Sequence, residues 1–565
     1  MHPQRAVSGA MPEERSLFAA WARLWGLCCL MDVWQQPYNW PDPASTWRFA
    51  CCFPAVCAIV RPSPITLMVP MLVRNAARTV KMPYVWDSDY WGLFLDAAFL
   101  FAMCRMAYQR ADRDASVLHA APVVRALLSL FYFAAGFWKL NTSFLSPRTS
   151  CGSIFTVSLL VQAWPDAWGP IPSSVALFAV QAGPWLTVVG ECAAGLALAV
   201  PGDVGRLLGL SSMLLLHSGI SFTAFPNGIA NFSYTAATRY FFLAPCGASQ
   251  ALGELLAAPG SAWGLAGRGA FASVVAAAWH FGRVAGPQHM GAVFFSAMGA
   301  VYVRAMAVEA MQPPARRPPA LGLVSGAYVM VVAFFVFGAQ VLGLTDLSAP
   351  ASPFSSIRVH GGSNHLVLPT GLLQAWAHER AAAASAESSL GGGVVRVEYT
   401  DSVWINSLYP SEHTSALPPR VVAVLRQGGH LGRQFNPTPR RVLGPELRAL
   451  MPRWRPGDGA FPQYTLPALE LRRLLAEVRA RKENFSLVYV RLPGIRGNDT
   501  WRATATGPRV EFTVRGGVEQ CASDGRPCSN ELVQLRDMDY VAWKTRVFFP
   551  HPIVADADGE LPCVD

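Results

Sequence analysis

Apolar runs of roughly twenty residues, the length that crosses a bilayer core, fill the first 345 positions and constrain this chain more than any other feature. They fall at 16–34, 47–73, 91–107, 116–138, 174–200, 207–225, 231–245, 291–311 and 321–344. A chain that is 52% hydrophobic and 15% charged has too little charge to place such runs in a water-soluble core. The expected fold is a multi-pass α-helical membrane bundle of about eight or nine spans. Several runs are broken by proline, at Pro54, Pro70, Pro184 and Pro226. Irregular backbone at membrane depth must be buried in protein or line a cavity, so these breaks point to a bundle with an internal pocket.

Beyond Leu344 the texture changes, giving a domain division at residues 1–345 and 346–565. The second part carries much of the charge and has no run that could span, yet is long enough to build its own core. Alternating segments "VVRVEYT" (394–400), "FSLVYVRL" (485–492) and "RVEFTVRGG" (509–517) read as strands. The segment "ALELRRLLAEVRAR" (468–481) reads as an amphipathic helix. A mainly β domain with a few helices is expected.

The net charge of +10 does not indicate nucleic acid, because the arginines are scattered rather than gathered with aromatics. Arg74, Arg78, Lys81, Arg105, Arg110 and Arg113 sit between spans, where basic residues orient a bundle. Arg304, Arg316 and Arg317 precede the last run and place that loop in the cytosol, so the β domain faces the lumen or exterior. Asn484 and Asn498 then become glycosylation acceptors, whereas Asn231 lies too deep. In that oxidising space Cys521 and Cys528 are expected to pair, leaving Cys563 over. Cysteines 28, 29, 51, 52, 57, 104 and 192 lie in apolar runs, where packing is their default role. The first run lacks a small-residue cleavage site and reads as a signal anchor.

No phosphate-binding loop, dinucleotide fingerprint, serine-hydrolase elbow, zinc-protease motif or paired Cys-x-x-Cys is present, and no metal is expected. What remains is ionisable residues inside apolar runs, which are costly at membrane depth and mark functional sites by default. They are Asp96, Arg125, Lys139, Glu191, His217 and Arg239. Each has a structural reading: the arginines can snorkel, Asp96 can pair with a bundle cation, and His217 can be a hydrogen-bonded core residue. Lys139 ends a run in which Arg125, Ser129, Tyr132 and Gly136 recur at helical spacing, a stripe that reads as wet or ligand-facing. In low dielectric the charged form of an amine is disfavoured, leaving a neutral group able to take a proton. The competing role is a lysine at the interface end of the helix.

The segment "FYFAAGFWKLNTSFL" (131–145) resembles the vitamin K-dependent gamma-carboxylases and their bacterial relatives of the HTTM type, whose aromatic-rich helix ends in an A-G-x-x-K-L-(D/N) signature. The matching positions are Ala135, Gly136, Lys139, Leu140 and Asn141. "LLLHSGISFTAFPNGIANFSYTAATRYFFLAP" (214–245) is similar to the family's second segment at His217, Phe225, Gly228, Phe232, Ser233 and Tyr234, and "GGHLGRQFNP" (428–437) echoes a turn of its luminal domain. The chain departs from the family in having "MPYVWDSDYW" (82–91), with Asp87 and Asp89, where carboxylating members carry an N-N-H type segment. It also has Trp138 before the lysine.

The resemblance implies a gamma-glutamyl carboxylase that couples oxygenation of vitamin K hydroquinone to its epoxide with carboxylation of glutamate, using O2 and CO2 as co-substrates. It implies Lys139 as the base and His217 as a pocket residue. Tyr132, Glu191 and Arg239 join the pocket from the stripe and burial arguments. The partners expected are the bilayer and a glutamate-containing protein or peptide. The expected membrane is that of the endoplasmic reticulum in a eukaryote or the cell membrane in a bacterium. Two other classes remain: a non-catalytic membrane protein that binds through its luminal domain, and a transporter with a midplane site at Glu191 and His217.

Overall fold

The computed structural model describes residues 16–34, 46–81, 87–223, 229–256, 262–283, 289–311 and 318–338, and beyond them mainly 394–408, 417–435, 464–491, 509–523 and the short pieces 353–355, 365–368, 526–527 and 563–564. Asn498, Cys528 and the side chain of Tyr234 lie outside the described residues.

The helices run α1 (Leu17–Trp34), α2 (Thr46–Val60), α3 (Pro64–Lys81), α4 (Asp87–Tyr108), α5 (Arg113–Trp138), α6 (Thr142–Leu145), α7 (Cys151–Ala163), α8 (Ser173–Ala199), α9 (Gly202–Ile220), α10 (Ile229–Tyr240), α11 (Pro245–Leu256), α12 (Ala262–Gly282), α13 (His289–Met311) and α14 (Leu323–Ala333). Among the described residues four of them, α4, α5, α8 and α13, are long and apolar enough to cross a membrane, and shorter apolar helices cover 50–60, 151–163 and 323–338. The chain is thus a helical membrane protein by its architecture. Prolines 54, 70, 122 and 184 lie inside helices, as membrane helices tolerate when neighbours satisfy the released backbone groups.

The chain divides into two compact units. The first takes residues 1–80, 91–129 and 194–329. Its core is aromatic: the Trp21 ring lies 5.7 Å from Phe99 and 4.5 Å from Phe242, both edge-on. Charges buried inside it are paired. Arg206 meets Glu309 at 2.6 Å, and Arg125 caps the end of α8 by donating to the carbonyls of Leu198, Val200 and Gly202. Arg125 is thus a capping residue.

The second unit takes residues 81–90, 130–193 and 330–565. Its antiparallel sheet has the order β3-β1-β4-β5-β6-β7, built from β1 (Val394–Thr400), β3 (Tyr464–Pro467), β4 (Phe485–Arg491), β5 (Arg509–Arg515), β6 (Val518–Ser523) and β7 (Arg526–Pro527). The two-residue strands β2 (Gln434–Phe435) and β8 (Cys563–Val564) pair in parallel. A helix α15 (Pro419–Gln427) precedes β2, and α16 (Ala468–Ala480) follows β3. Leu471, Leu474, Leu475 and Val478 of α16, at helical spacing, are fully buried with Val395, Val397, Leu487 and Phe512 from alternate strand positions. Two periodicities, 3.6 and 2, thus meet in one core. Asn484 is exposed at the start of β4, where its Oδ1 accepts from the Gly516 N–H at 2.8 Å.

One disulfide corrects the expectation for Cys563. It is not the cysteine left over: it bonds Cys151 across 412 residues, tying the chain terminus to the first turn of α7. Cys521 is also disulfide-bonded.

The loop after α15 is pinned beside this bridge. Leu431 N–H donates to Arg148 O at 2.9 Å, and buried His430 approaches Ser150 O through Nε2 at 3.2 Å. Its Nδ1 accepts from Gly432 N–H at 2.8 Å, so the ring is neutral with the proton on Nε2. Burial pushes this imidazole down to about 4, against the partial support of the Ser150 carbonyl. A group held below its unfolded value binds its proton more weakly when folded, so its contribution is present above about pH 6.5 and lost as pH falls toward 4. Acidification from pH 7 to 4 should cost up to about 3 kcal/mol through this group. The expected result is a fall in melting temperature that flattens in His430→Gln, read by thermal unfolding in detergent across that range.

Candidate functional site

α5 is an apolar helix whose small and polar residues fall on one face, and that face lies along α8. Ser129 donates to Gly195 O at 2.7 Å. A Cβ on Gly136 would come within 2.6 Å of Cys192 Sγ and 2.9 Å of its backbone nitrogen, so the helices cross here at a separation only glycine permits. The stripe expected to be wet or ligand-facing is a helix–helix seam. Its polar groups are spent on backbone carbonyls, and its small residues on close approach.

The seam brings Lys139 and Glu191 together. Lys139 follows the last residue of α5 and is 2% exposed. Its Nζ donates to Glu191 Oε2 at 2.7 Å, to Oε1 at 3.0 Å and to Ala135 O at 3.4 Å, and stands 5.8 Å from the centre of the Phe144 ring. Glu191 lies inside the apolar span α8. The charge of Lys139 also reaches Cys192 and Asp87. Asp87 opens α4 in the segment that departs from the N-N-H pattern, and its Oδ1 is buried without a hydrogen-bond partner.

The turn beyond the lysine is fixed by Asn141, fully buried, which caps α6 by accepting from Phe144 N–H at 2.8 Å. Its amide donates to the carbonyls of Trp138 and Ser355, each at 2.7 Å. Around it the segment 365–368 covers the end of α5. Leu366 N–H reaches Leu140 O at 2.8 Å, and His365 Nε2 meets Phe137 O at 2.9 Å. His365 Nδ1 accepts from Leu368 N–H at 3.0 Å, which assigns the Nε2–H tautomer, and burial holds this ring below its ordinary value. Trp138 is buried, donating to Val336 O at 3.1 Å in the π-helical turn Phe334–Gly338, with the Phe337 ring 6.1 Å away. The aromatic lining of Lys139's neighbourhood thus comes from three separate stretches of chain.

Of the site residues expected from sequence, Lys139 and Glu191 are brought together. Tyr132 is buried on α5 in the same unit, its ring edge-on to Phe131 at 5.4 Å. His217 and Arg239 belong to the other unit. His217 is fully buried, with Nδ1 3.1 Å from Ser233 Oγ and the Phe232 and Phe295 rings at 5.2 and 5.8 Å. Arg239 donates to Asp96 Oδ1 at 2.8 Å, so it is a paired core residue. The sequence reading missed Asp87 and His365 as neighbours of this region. Of the two, only Asp87, noted with Asp89 as a departure, carried a signal. Among the described residues no cluster of three or more His, Cys, Asp or Glu could hold a metal ion.

A family model described as a domain of unknown function (DUF8388) matches residues 363–544, which take in the sheet strands β1 and β3–β7 together with α15 and α16. No curated protein and no solved structure matches the chain.

Proposed function

We propose that the chain is an integral membrane enzyme of the gamma-glutamyl carboxylase type, with about eight or nine spans and a mainly β luminal domain. It would couple oxygenation of a hydroquinone to carboxylation of a glutamate. The observation that carries this reading is the buried, hydrogen-bonded Lys139–Glu191 pair at 2.7 Å inside apolar helices. Burial alone makes such a pair expensive, because the mutual attraction of two ions offsets their desolvation only in part. A proton moving from the ammonium to the carboxylate cancels both charges and leaves a neutral amine without help from water.

The residues fit a hydroquinone of the vitamin K class: an amine to accept a phenolic proton, a carboxylate to take the proton onward, and the Phe144 ring beside the amine. A hydroquinone bound there supplies, after deprotonation and oxygenation, a base able to remove a glutamate γ-proton so that carbon dioxide can add. The chain's own part is to hold the amine 2% exposed and exclude bulk water. Placing the β domain in the lumen is supported by the Cys151–Cys563 bridge, which belongs to an oxidising space, and by Arg105, Arg110 and Arg113 at the opposite end of α5 from Lys139. The membrane would be that of the endoplasmic reticulum in a eukaryote and the cell membrane in a bacterium.

The test is purified protein in lipid with vitamin K hydroquinone, oxygen, labelled bicarbonate and a glutamate peptide, following epoxide and incorporated label together. Both products are expected. Epoxide alone would leave a quinol oxygenase without a peptide substrate. Neither product from folded protein would favour a non-catalytic binding protein that uses the ion pair only to hold its seam.

A further inference from the structure

The start of α8 carries the marks of a membrane–water boundary. α8 has 27 residues, a rod of about 40 Å, longer than the roughly 30 Å core of a bilayer, so part of it stands in the headgroup layer. The loop before it holds Trp164 and Trp168 edge-on, with ring centres 5.3 Å apart. Trp168 is 68% exposed, and Trp164 Nε1 donates to Gly169 O at 2.9 Å. Tryptophan, with an apolar body and a polar tip, gathers at the headgroup level. On the first two turns of α8, Leu177 and Phe178 are exposed and offer an apolar surface suited to acyl chains. The boundary therefore falls between Trp168 and Phe178.

The basic helix α15 lies across this boundary, in the same unit. Arg420 Nη2 reaches Asp166 Oδ1 at 3.2 Å, and Gln427 Nε2 donates to Ile171 O at 3.3 Å and to Ser173 Oγ at 2.8 Å. At Gly428 the contact tightens: a Cβ would come within 2.8 Å of Ala176 O and 2.6 Å of the Val180 side chain, an approach only glycine permits. Val421 and Leu425, one turn apart, are buried, while Arg420 and Arg426 stay exposed, as does Arg433 in the loop beyond. The Arg426 side chain runs back over that loop: a Cβ on Gly432 would come within 3.4 Å of its Cγ and Nε, beside the residue that precedes Arg433. Among the described residues neither Arg426 nor Arg433 is held in an ion pair. The charge bias continues along the sequence, where residues 419–455 spread eight arginines against one acidic residue, Glu446.

We propose that this edge of the second unit is a binding site for an anionic phospholipid, with Arg426 and Arg433 on the headgroup phosphate and the acyl chains along Leu177 and Phe178. A guanidinium donates two parallel N–H bonds to a phosphate and is more weakly hydrated than an ammonium, which suits a site within the headgroup layer. Depth selects the ligand. A soluble acidic peptide would meet the arginines alone, whereas a phospholipid meets the positive charge and the apolar surface of α8 together. Arg420, engaged with Asp166, holds the helix to the loop. Bound lipid would anchor to the membrane surface a loop whose other contacts are Arg148 and Ser150. The inference stands apart from the carboxylase reading: it requires α8 to span a bilayer and nothing of Lys139.

The test is native mass spectrometry of the full-length protein in detergent, titrated with phosphatidylglycerol or with phosphatidylcholine of the same acyl chains. A basic residue near an anionic surface contributes on the order of a fivefold change in affinity, so two arginines should favour phosphatidylglycerol by about 25-fold. Arg426→Gln and Arg433→Gln should each lower phosphatidylglycerol affinity about fivefold and leave phosphatidylcholine unmoved. Both side chains are exposed, so thermal unfolding without lipid should match wild type. Arg515→Gln, the same loss of charge at an exposed position of β5, should change nothing. Equal affinity for the two lipids, or a loss as large in Arg515→Gln, overturns the proposal. Glycerol phosphate and a polyglutamate peptide, each at the concentration of the lipid, should displace none of it. Displacement by the first would make this a site for a soluble phosphate, and by the second a site for an acidic protein; either result overturns the lipid assignment.

Discussion

Replacing Lys139 by alanine is expected to lower epoxide formation by about 100- to 10,000-fold, the range over which a positioned acid or base contributes, while leaving the protein folded in detergent. Truncation also leaves Glu191 buried without its cation, so alanine alone does not separate base from strut. Arginine does. Lys139→Arg keeps a positive donor for the carboxylate but cannot be deprotonated in a protein. A base role predicts that it is as inactive as alanine with near-normal thermal stability, whereas a structural lysine predicts that arginine restores whatever alanine lost. Glu191→Gln tests the other half of the pair. It keeps an acceptor for Nζ and removes the site that takes the proton, so turnover should fall and recover partly as pH rises, measured as epoxide rate against pH. Wild-type epoxide rates in Lys139→Ala would remove the lysine from the chemistry altogether.

The elements of the β domain were open to sequence reading because each obeys one period. β1 starts and ends at Val394 and Thr400 as the alternation places it, and α16 covers 468–480 of the expected 468–481. Two-residue strands such as β2 and β8 carry no period at all. The Cys151–Cys563 bond that accompanies them joins the first residue of the short apolar helix α7 to one near the terminus, 412 positions away. At the site, Lys139 and Glu191 stood out because charge in an apolar run is costly, but their pairing depends on how two helices 52 residues apart in sequence are packed. The stripe of Arg125, Ser129, Gly136 and Lys139 shows the limit plainly. Small and polar spacing says that a helix face avoids lipid, not whether a ligand or another helix fills it. Glycine settles the matter only when the partner is known, and the partner here is the backbone of Cys192 and Val188.

The second large effect is structural and lies at Asp96. Its carboxylate gathers Arg78, Arg239 and the Trp25 indole in the interior, where it is 1% exposed. Removing it while the arginines stay leaves two guanidinium groups facing each other, and breaking a buried pair in this way costs about 3–5 kcal/mol. Asp96→Leu should therefore unfold at a much lower temperature than wild type, or fail to accumulate, by thermal unfolding in detergent. The partner change separates lost attraction from stranded charge. Asp96→Leu/Arg239→Met removes one cation with the anion and should be more stable than Asp96→Leu alone, a coupling a double-mutant cycle reads directly. If the single and double variants are equally unstable, the carboxylate acts through packing. If the double variant recovers, the cluster is electrostatic in origin.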